Sequence, residues 1–335
     1  MGLAVPETID DWTSALRSFK ETGVEIPFNG EINALVRAFG PAYGIKMGFF
    51  MEGGQVKYGY TQPEYKEFLA KMNQWYTEGL VNKNLGAVDF IALENSVLNG
   101  MTGAVYAAAG SGMGHWSAAA GEPGFDLAPA KYPVLQRGEK SAYGARDPMY
   151  GFMGSVAISG KSKHKETCAK FLDYGYSEEG HMFYNFGTEG VSYQMVEGYP
   201  QYTDLILHNP DGLSITNAMG RYMMSCYSGP FVQDLRYQEQ YYTLPQQREA
   251  IELWSEATSE TDYALPPYSA PADEISEMDR LTDYIDPYAV EMQYKFIVGV
   301  EPLSNYDAYL NHLKSLDLDA LLQMKQKAVD NYLAP

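Results

Sequence analysis

The sequence has 335 residues, of which 45% are hydrophobic and 20% charged, enough apolar material for more than one packed lobe. A formal net charge of −19 opposes bulk binding to nucleic acid or to an anionic lipid surface. Two cysteines, Cys168 and Cys226, are too few for a disulfide framework, and no apolar run is long enough to span a bilayer.

The first helix is predicted from Thr8, an N-cap with Asp11 three residues on. Trp12, Leu16 and Phe19 follow at helical spacing, and Gly23 supplies a left-handed stop. Val24 to Phe28 reads as a short strand. Thr61 and Glu64 have capping-box spacing ahead of a stripe of Tyr65, Phe68, Leu69, Met72 and Tyr76, ended by Gly79. A helix over Phe90 to Leu98 stops at Gly100, and Gly103 to Ala108 reads as a buried strand. This alternation predicts an α/β architecture.

The glycine-rich segment Gly110 to Gly114 lacks the spacing of a dinucleotide site and the Lys-Ser/Thr of a phosphate loop. Ser155 to Ser159 is a further predicted strand, leading into a helix that carries Cys168 on its apolar stripe with Ala169, Leu172 and Tyr176. Ser177 caps the helix after it. Gln201 to Pro271 reads as irregular, with one helical patch at Ile251 to Trp254. The chain then returns to helix over Ile275–Ile285, Tyr288–Phe296, Tyr306–Leu313 and Leu318–Tyr332.

Catalytic patterns are not found. The five histidines are scattered without H-E-x-x-H spacing, no G-x-S-x-G elbow occurs, and no carboxylate pair stands out for glycosidase chemistry. His181 near Glu178 suits a solvated helix end better than a metal site, and no metal or cofactor is expected. Aromatic content is 14%, with 28 tyrosines, which fits either core packing or a sugar-binding surface where rings stack on pyranose faces.

Four segments, in order, resemble the extracellular solute-binding proteins of bacterial ABC importers, the lipoprotein-type family related to maltose-binding protein. They are Val5 to Trp12; Tyr65 to Leu80, with Trp75-Tyr76-Thr77-Glu78-Gly79-Leu80; Phe171 to Tyr193, with Ser177-Glu178-Glu179-Gly180 and Thr188-Glu189-Gly190-Val191; and Lys295-Phe296-Ile297-Val298-Gly299 with the tail to Tyr332. The resemblance implies a two-lobed, type II periplasmic-binding-protein-like α/β fold. One ligand-binding lobe would comprise residues 1–153 completed by 301–335, and the other 154–300. The family's opening βα units have no counterpart ahead of Val5, so the second lobe is expected to lack its N-terminal part, to expose apolar surface and to bind ligand weakly. Glu21 to Pro27 is too short to supply the oxygen ligands of the calcium loop found in many relatives.

The implied function is capture of a small ligand, an oligosaccharide, for an ABC transporter permease, by a monomer that is not an enzyme. The full-length protein would be an extracellular, membrane-anchored lipoprotein whose signal is absent from this chain. The alternative is a carbohydrate-active enzyme on an α/β scaffold. A third reading is a surface adhesion or scaffolding protein. Comparison with maltose-binding protein implies ligand contacts from Asn29, Glu31 and Asn33 after the first strand, Trp116 after the glycine-rich loop, Arg146, Asp147 and Tyr150 before a hinge strand, and Tyr306. Trp12, Trp75 and Trp254 are assigned to packing.

Overall fold

A computed structural model describes residues 4–120, 124–142, 156–224, 229–257 and 263–334. The chain divides into two compact units. The first comprises Met1–Tyr106, Ala130–Arg146 and Leu253–Pro335, and the second Ala107–Pro129 and Asp147–Glu252.

The first unit opens with α1 (Ile9–Glu21), whose capping box forms as the sequence predicts: Thr8 Oγ1 accepts from Asp11 N–H at 3.1 Å, and the Asp11 carboxylate accepts from Thr8 N–H at 3.0 Å. β1 (Ile26–Asn29) runs parallel to β4 (Thr102–Val105), with Phe28 opposite Ala104 and Asn29 opposite Val105. A parallel bridge between Phe28 and Val81 adds a third extended segment. Between them lie α2 (Ile32–Phe39), the antiparallel hairpin β2 (Phe49–Glu52) and β3 (Gln55–Tyr58), α3 (Tyr65–Glu78) and α4 (Phe90–Leu98). The expected capping box at Thr61 and Glu64 does not form. Thr61 Oγ1 instead donates to Tyr58 O at 2.9 Å, within a 3-10 turn, and α3 begins after Glu64 without a side-chain cap.

One core gathers Phe28, Leu35, Phe39, Phe68 and Trp75 from α2, α3 and β1 with Met278, Leu281, Ile285 and Phe296 from α12 (Ala272–Val298). The sequence predicts two helices here, broken near Pro287. The structure has one, because a proline within a helix removes a single backbone donor while the apolar face on both sides of it stays buried. Packing on that core assigns α12 to the first unit, a correction to the expected lobe of 154–300; residues 107–129 likewise group with the second unit. α13 (Tyr306–Ser315) and α14 (Leu318–Leu333) complete the first unit.

The second unit holds α5 (His115–Ala119), α6 (Lys165–Asp173), α7 (Glu178–Phe186), the hairpin β5 (Tyr193–Val196) and β6 (Tyr199–Tyr202), and α8 (Asp204–Leu207), α9 (Ile215–Tyr222) and α10 (Leu235–Tyr241). α11 (Pro245–Ser255) follows. Much of the stretch expected to be irregular is therefore helical. Two of its short helices, α9 and α10, start at single side-chain caps, Ser214 on Asn217 N–H and Asp234 on Arg236 N–H. Phe186, Tyr202, Ile206, Met219 and Met223 form this unit's own core.

The expected strand at Ser155–Ser159 is absent over residues 156–159; Ser155 lies outside the described residues. α6 buries none of its side chains, and Cys168 is half-buried where a buried thiol is expected; Cys226 lies outside the described residues. Phe171, Tyr176, Phe183, Val191, Met195 and Val196 are all exposed. Among the described residues no helix is long and apolar enough to cross a membrane.

Candidate ligand-binding site

In an α/β unit, loops at the carboxyl ends of parallel strands are where ligands bind, because the chain turns there from sheet to helix and leaves backbone and side-chain polar groups facing outward. In the first unit that edge is made by Asn29, Val81 and Val105. Asn29 is buried. Its Nδ2 donates to Thr102 Oγ1 at 3.0 Å, its Oδ1 accepts from Asn82 Nδ2 at 2.6 Å, and Asn82 N–H donates to Phe28 O at 2.9 Å. Asn29 thus ties three extended segments together and has no side-chain surface left for a ligand. It is a positioning residue, a correction to its expected contact role.

Gly30 makes the turn. Its φ is +153°, and a Cβ there would lie 2.9 Å from that of Ala34. The turn delivers Glu31, exposed at the N-cap of α2 and making no side-chain cap bond, and Asn33, half-buried in the first helical turn. Asn29, Glu31 and Asn33 are therefore brought together on one connection. The register of Asn29 with Val105 sets Gly30 beside Tyr106, a half-buried ring whose hydroxyl lies 3.5 Å from that of Tyr132. Tyr106, Tyr132 and Asn82 are polar groups of this edge that sequence reasoning misses. Tyr106 alone carried a signal, as the one polar-tipped residue of the Gly103–Ala108 run.

The other expected contacts divide differently. Tyr306 is buried, its ring 6.1 Å from Phe296 and 5.5 Å from Tyr309, in the core of the first unit. Its spacing with Tyr309 and Leu313 puts it on the inward stripe of α13, so it is a core residue and not a site residue. Arg146, Asp147 and Tyr150 lie outside the described residues. Trp75 and Trp254 are packing residues as expected, and each indole N–H is satisfied internally, on Thr13 Oγ1 and on Ala130 O.

In the second unit Trp116 is only 1% exposed, in α5 directly after a π-helical turn at Ala109–Gly114. The glycines expected to admit a ligand instead admit the protein. A Cβ on Gly110 would lie 2.4 Å from Tyr241 Oη, one on Gly114 2.3 Å from Gln247 Nε2, and one on Gly112 2.6 Å from Ala107 Cβ. Gln247 Nε2 donates to Ala109 O at 2.7 Å. The loop is packed shut by α10 and α11, and Trp116 is part of that packing.

An open groove of about 590 Å³ in this unit is lined by Tyr176, Ser177, His181, Met182, Tyr193 and Arg236. Two of its polar members, His181 and Arg236, are committed to Asp234. Asp234 accepts from both arms of Arg236, Nε at 2.9 Å and Nη2 at 2.5 Å, and meets His181 Nε2 at 2.9 Å. Burial raises the Asp234 carboxyl, but the hydrogen bonds from Arg236 and His181 outweigh it and hold the group down at about 2, below its usual 3.8. A carboxyl whose folded value is depressed stabilises the fold above its unfolded value and loses that contribution as pH falls. Asp234 should therefore contribute about 2 kcal/mol at neutral pH, fading as pH drops from about 5 to 2. The stability–pH curve of Asp234→Asn should be flatter over that window than that of the parent; parallel curves would contradict the assignment.

No protein-family profile matches the sequence. Lipoprotein LipO of Bacillus subtilis is 24% identical over 67% of this chain and 47% of its own length, so the chain spans about half of that curated relative. Among solved structures, the alginate-binding protein AlgQ2 superposes with a TM-score of 0.73 at 24% identity, covering 98% of this chain and 68% of that one. The S. pneumoniae ABC-transporter substrate-binding protein FusA, in complex with kestose, gives 0.69 at 18% identity over 99% and 69%. An HMO-binding, ABC-transporter-associated solute-binding protein from Bifidobacterium longum infantis gives 0.65 at 18% over 100% and 72%. The chain has the two-lobed fold of the ABC-transporter solute-binding proteins. The resemblance carried by the four sequence segments and the match to these folds agree.

Proposed function

We propose that this chain belongs to an extracellular solute-binding protein that captures an oligosaccharide and presents it to the permease of an ABC importer, as a monomer and without chemical turnover. The observation that carries the reading is the match of 98–100% of the chain to solute-binding folds whose own ligands are alginate, kestose and HMO. The similarity to a lipoprotein supports a membrane-anchored, extracellular setting for the full-length protein. The ligand would meet Glu31 and Asn33 on the turn after β1 and the face of Tyr106, with a carboxylate and an amide for sugar hydroxyls and a ring for a pyranose face. Arg146, Asp147 and Tyr150 are proposed to add a polar clamp to the same ligand. The net charge of −19 disfavours a nucleic-acid partner.

The test is a thermal-shift and calorimetry screen against neutral and uronic oligosaccharides, with product analysis on the same samples. A ligand present at 100 times its dissociation constant should stabilise the protein by about 2.7 kcal/mol, with unchanged saccharide recovered. Turnover at catalytic protein levels would replace the receptor by an enzyme, and the absence of any shift across the screen would remove the saccharide.

A further inference from the structure

We propose that the first unit encloses an ordered-water site at the junction of α3, α12 and α13, shared by Tyr65, Gln293 and Tyr306. Each of the three side chains is at least nine-tenths buried: Tyr65 and Gln293 are 0% exposed and Tyr306 4%. The Tyr65 hydroxyl, both polar atoms of the Gln293 amide and the Tyr306 hydroxyl have no hydrogen-bond partner within the protein. Four such atoms in one core are far from the ordinary pattern, because a buried polar group without a partner costs the desolvation of that group.

The geometry puts them together. Gln293 lies one helical turn before Phe296 on the same face of α12, and the Phe296 ring sits 6.1 Å from Tyr306 and 5.6 Å from Tyr309. Tyr309 Oη donates to Tyr60 O at 3.0 Å, and the Tyr60 ring is 5.6 Å from Tyr65, which closes the ring of side chains. The electrostatics agree. Burial raises the Tyr65 phenol most, the phenols of Tyr309, Tyr60 and Tyr306 raise it further, and the Gln293 amide, near the hydroxyl but without a well-formed hydrogen bond to it, lowers it. Two phenols that each donate and accept, and an amide that offers one group of each kind, match the two to four partners that a buried water takes. A hydroxyl directed at water, not at a ligand, also accounts for a tyrosine at position 306 on the buried stripe of α13.

The test is a high-resolution crystal structure of the chain together with the melting temperatures of Tyr65→Phe, Tyr306→Phe and the double variant. Each single variant deletes one oxygen and keeps the ring, so the fold is retained. The structure should show at least one ordered water within hydrogen-bond distance of two or more of the three side chains. Each single variant should melt roughly 1–4 °C lower, and the double variant should lose less than the sum, since both hydroxyls serve the same water. A dry junction, with Gln293 turned directly onto Tyr65, would overturn the proposal. So would a rise in melting temperature in either variant, because removing a truly orphaned hydroxyl relieves its desolvation.

Discussion

Trp75→Ala is expected to cost roughly 3–5 kcal/mol of unfolding free energy, the range for deleting a large aromatic side chain from a packed core. Trp75 is fully buried on α3 and stands edge-on to Phe39 at 4.8 Å with an interplanar angle of 89°. Phe39 in turn meets Phe28 at 5.0 Å and Trp12 at 5.4 Å, so the indole is the keystone between α1, α2 and β1. Its Nε1 donates to Thr13 Oγ1 at 3.0 Å while Thr13 donates to Ile9 O at 2.8 Å. Alanine would leave a cavity against the Phe39 ring and strip Thr13 of one of its bonds. Urea unfolding should show a lower midpoint with little change in slope, and Trp75→Phe should fall between the two proteins. A loss under about 1 kcal/mol would mean that the site collapses around the deletion, contrary to the close packing described.

Local signals carried the elements that close on themselves. The capping box at Thr8 and Asp11, the stripe Tyr65–Phe68–Leu69–Met72 and the stop at Gly79, whose φ is +70°, are all present where the sequence predicts them. Neither α2, which lacks a side-chain cap to announce it, nor the hairpin β2–β3 is predicted from the sequence. What the sequence does not disclose is pairing over distance. Thr102 and Asn82 capture the Asn29 side chain from 73 and 53 residues away, and this converts an expected ligand contact into a strand clamp. The glycines of 110–114 carry a local meaning that two different surfaces can satisfy, a ligand or another helix; only the positions of Tyr241 and Gln247 decide between them. Helix–strand alternation indicates the α/β class, and the four family-like segments indicate the two lobes. The α12 assignment waits on the tertiary core that Pro287 hides from a local reading.

Gly59→Ala is expected to be about as damaging, by a different route. Gly59 follows β3, and its N–H donates to Gly48 O at 2.8 Å. A Cβ there would lie 1.5 Å from Lys46 O and 2.7 Å from Lys46 C, a collision with backbone and not with a movable side-chain end. Residue 46 has little freedom to retreat. The Lys46 side chain is buried, its Nζ is 3.2 Å from Glu52 Oε1, and it lies 3.8 Å over the Tyr263 ring and 4.7 Å over the Phe50 ring. On the other side Tyr58 is held by Asp286, its Oη donating to Oδ1 at 2.6 Å. Relief therefore requires the 46–48 segment and the end of β3 to part, which breaks the Gly59–Gly48 bond and loosens the hairpin's seat on α12. Overpacking of this kind costs roughly 3 kcal/mol or more when backbone must move. Gly54→Ala separates the two ways a glycine can be required. Gly54 has φ +78° with open space around it, so its substitution should cost only about 1 kcal/mol of backbone strain. Thermal or urea unfolding of the two variants side by side measures the difference directly, and a Gly59→Ala protein no less stable than Gly54→Ala would show that the Lys46 carbonyl yields easily.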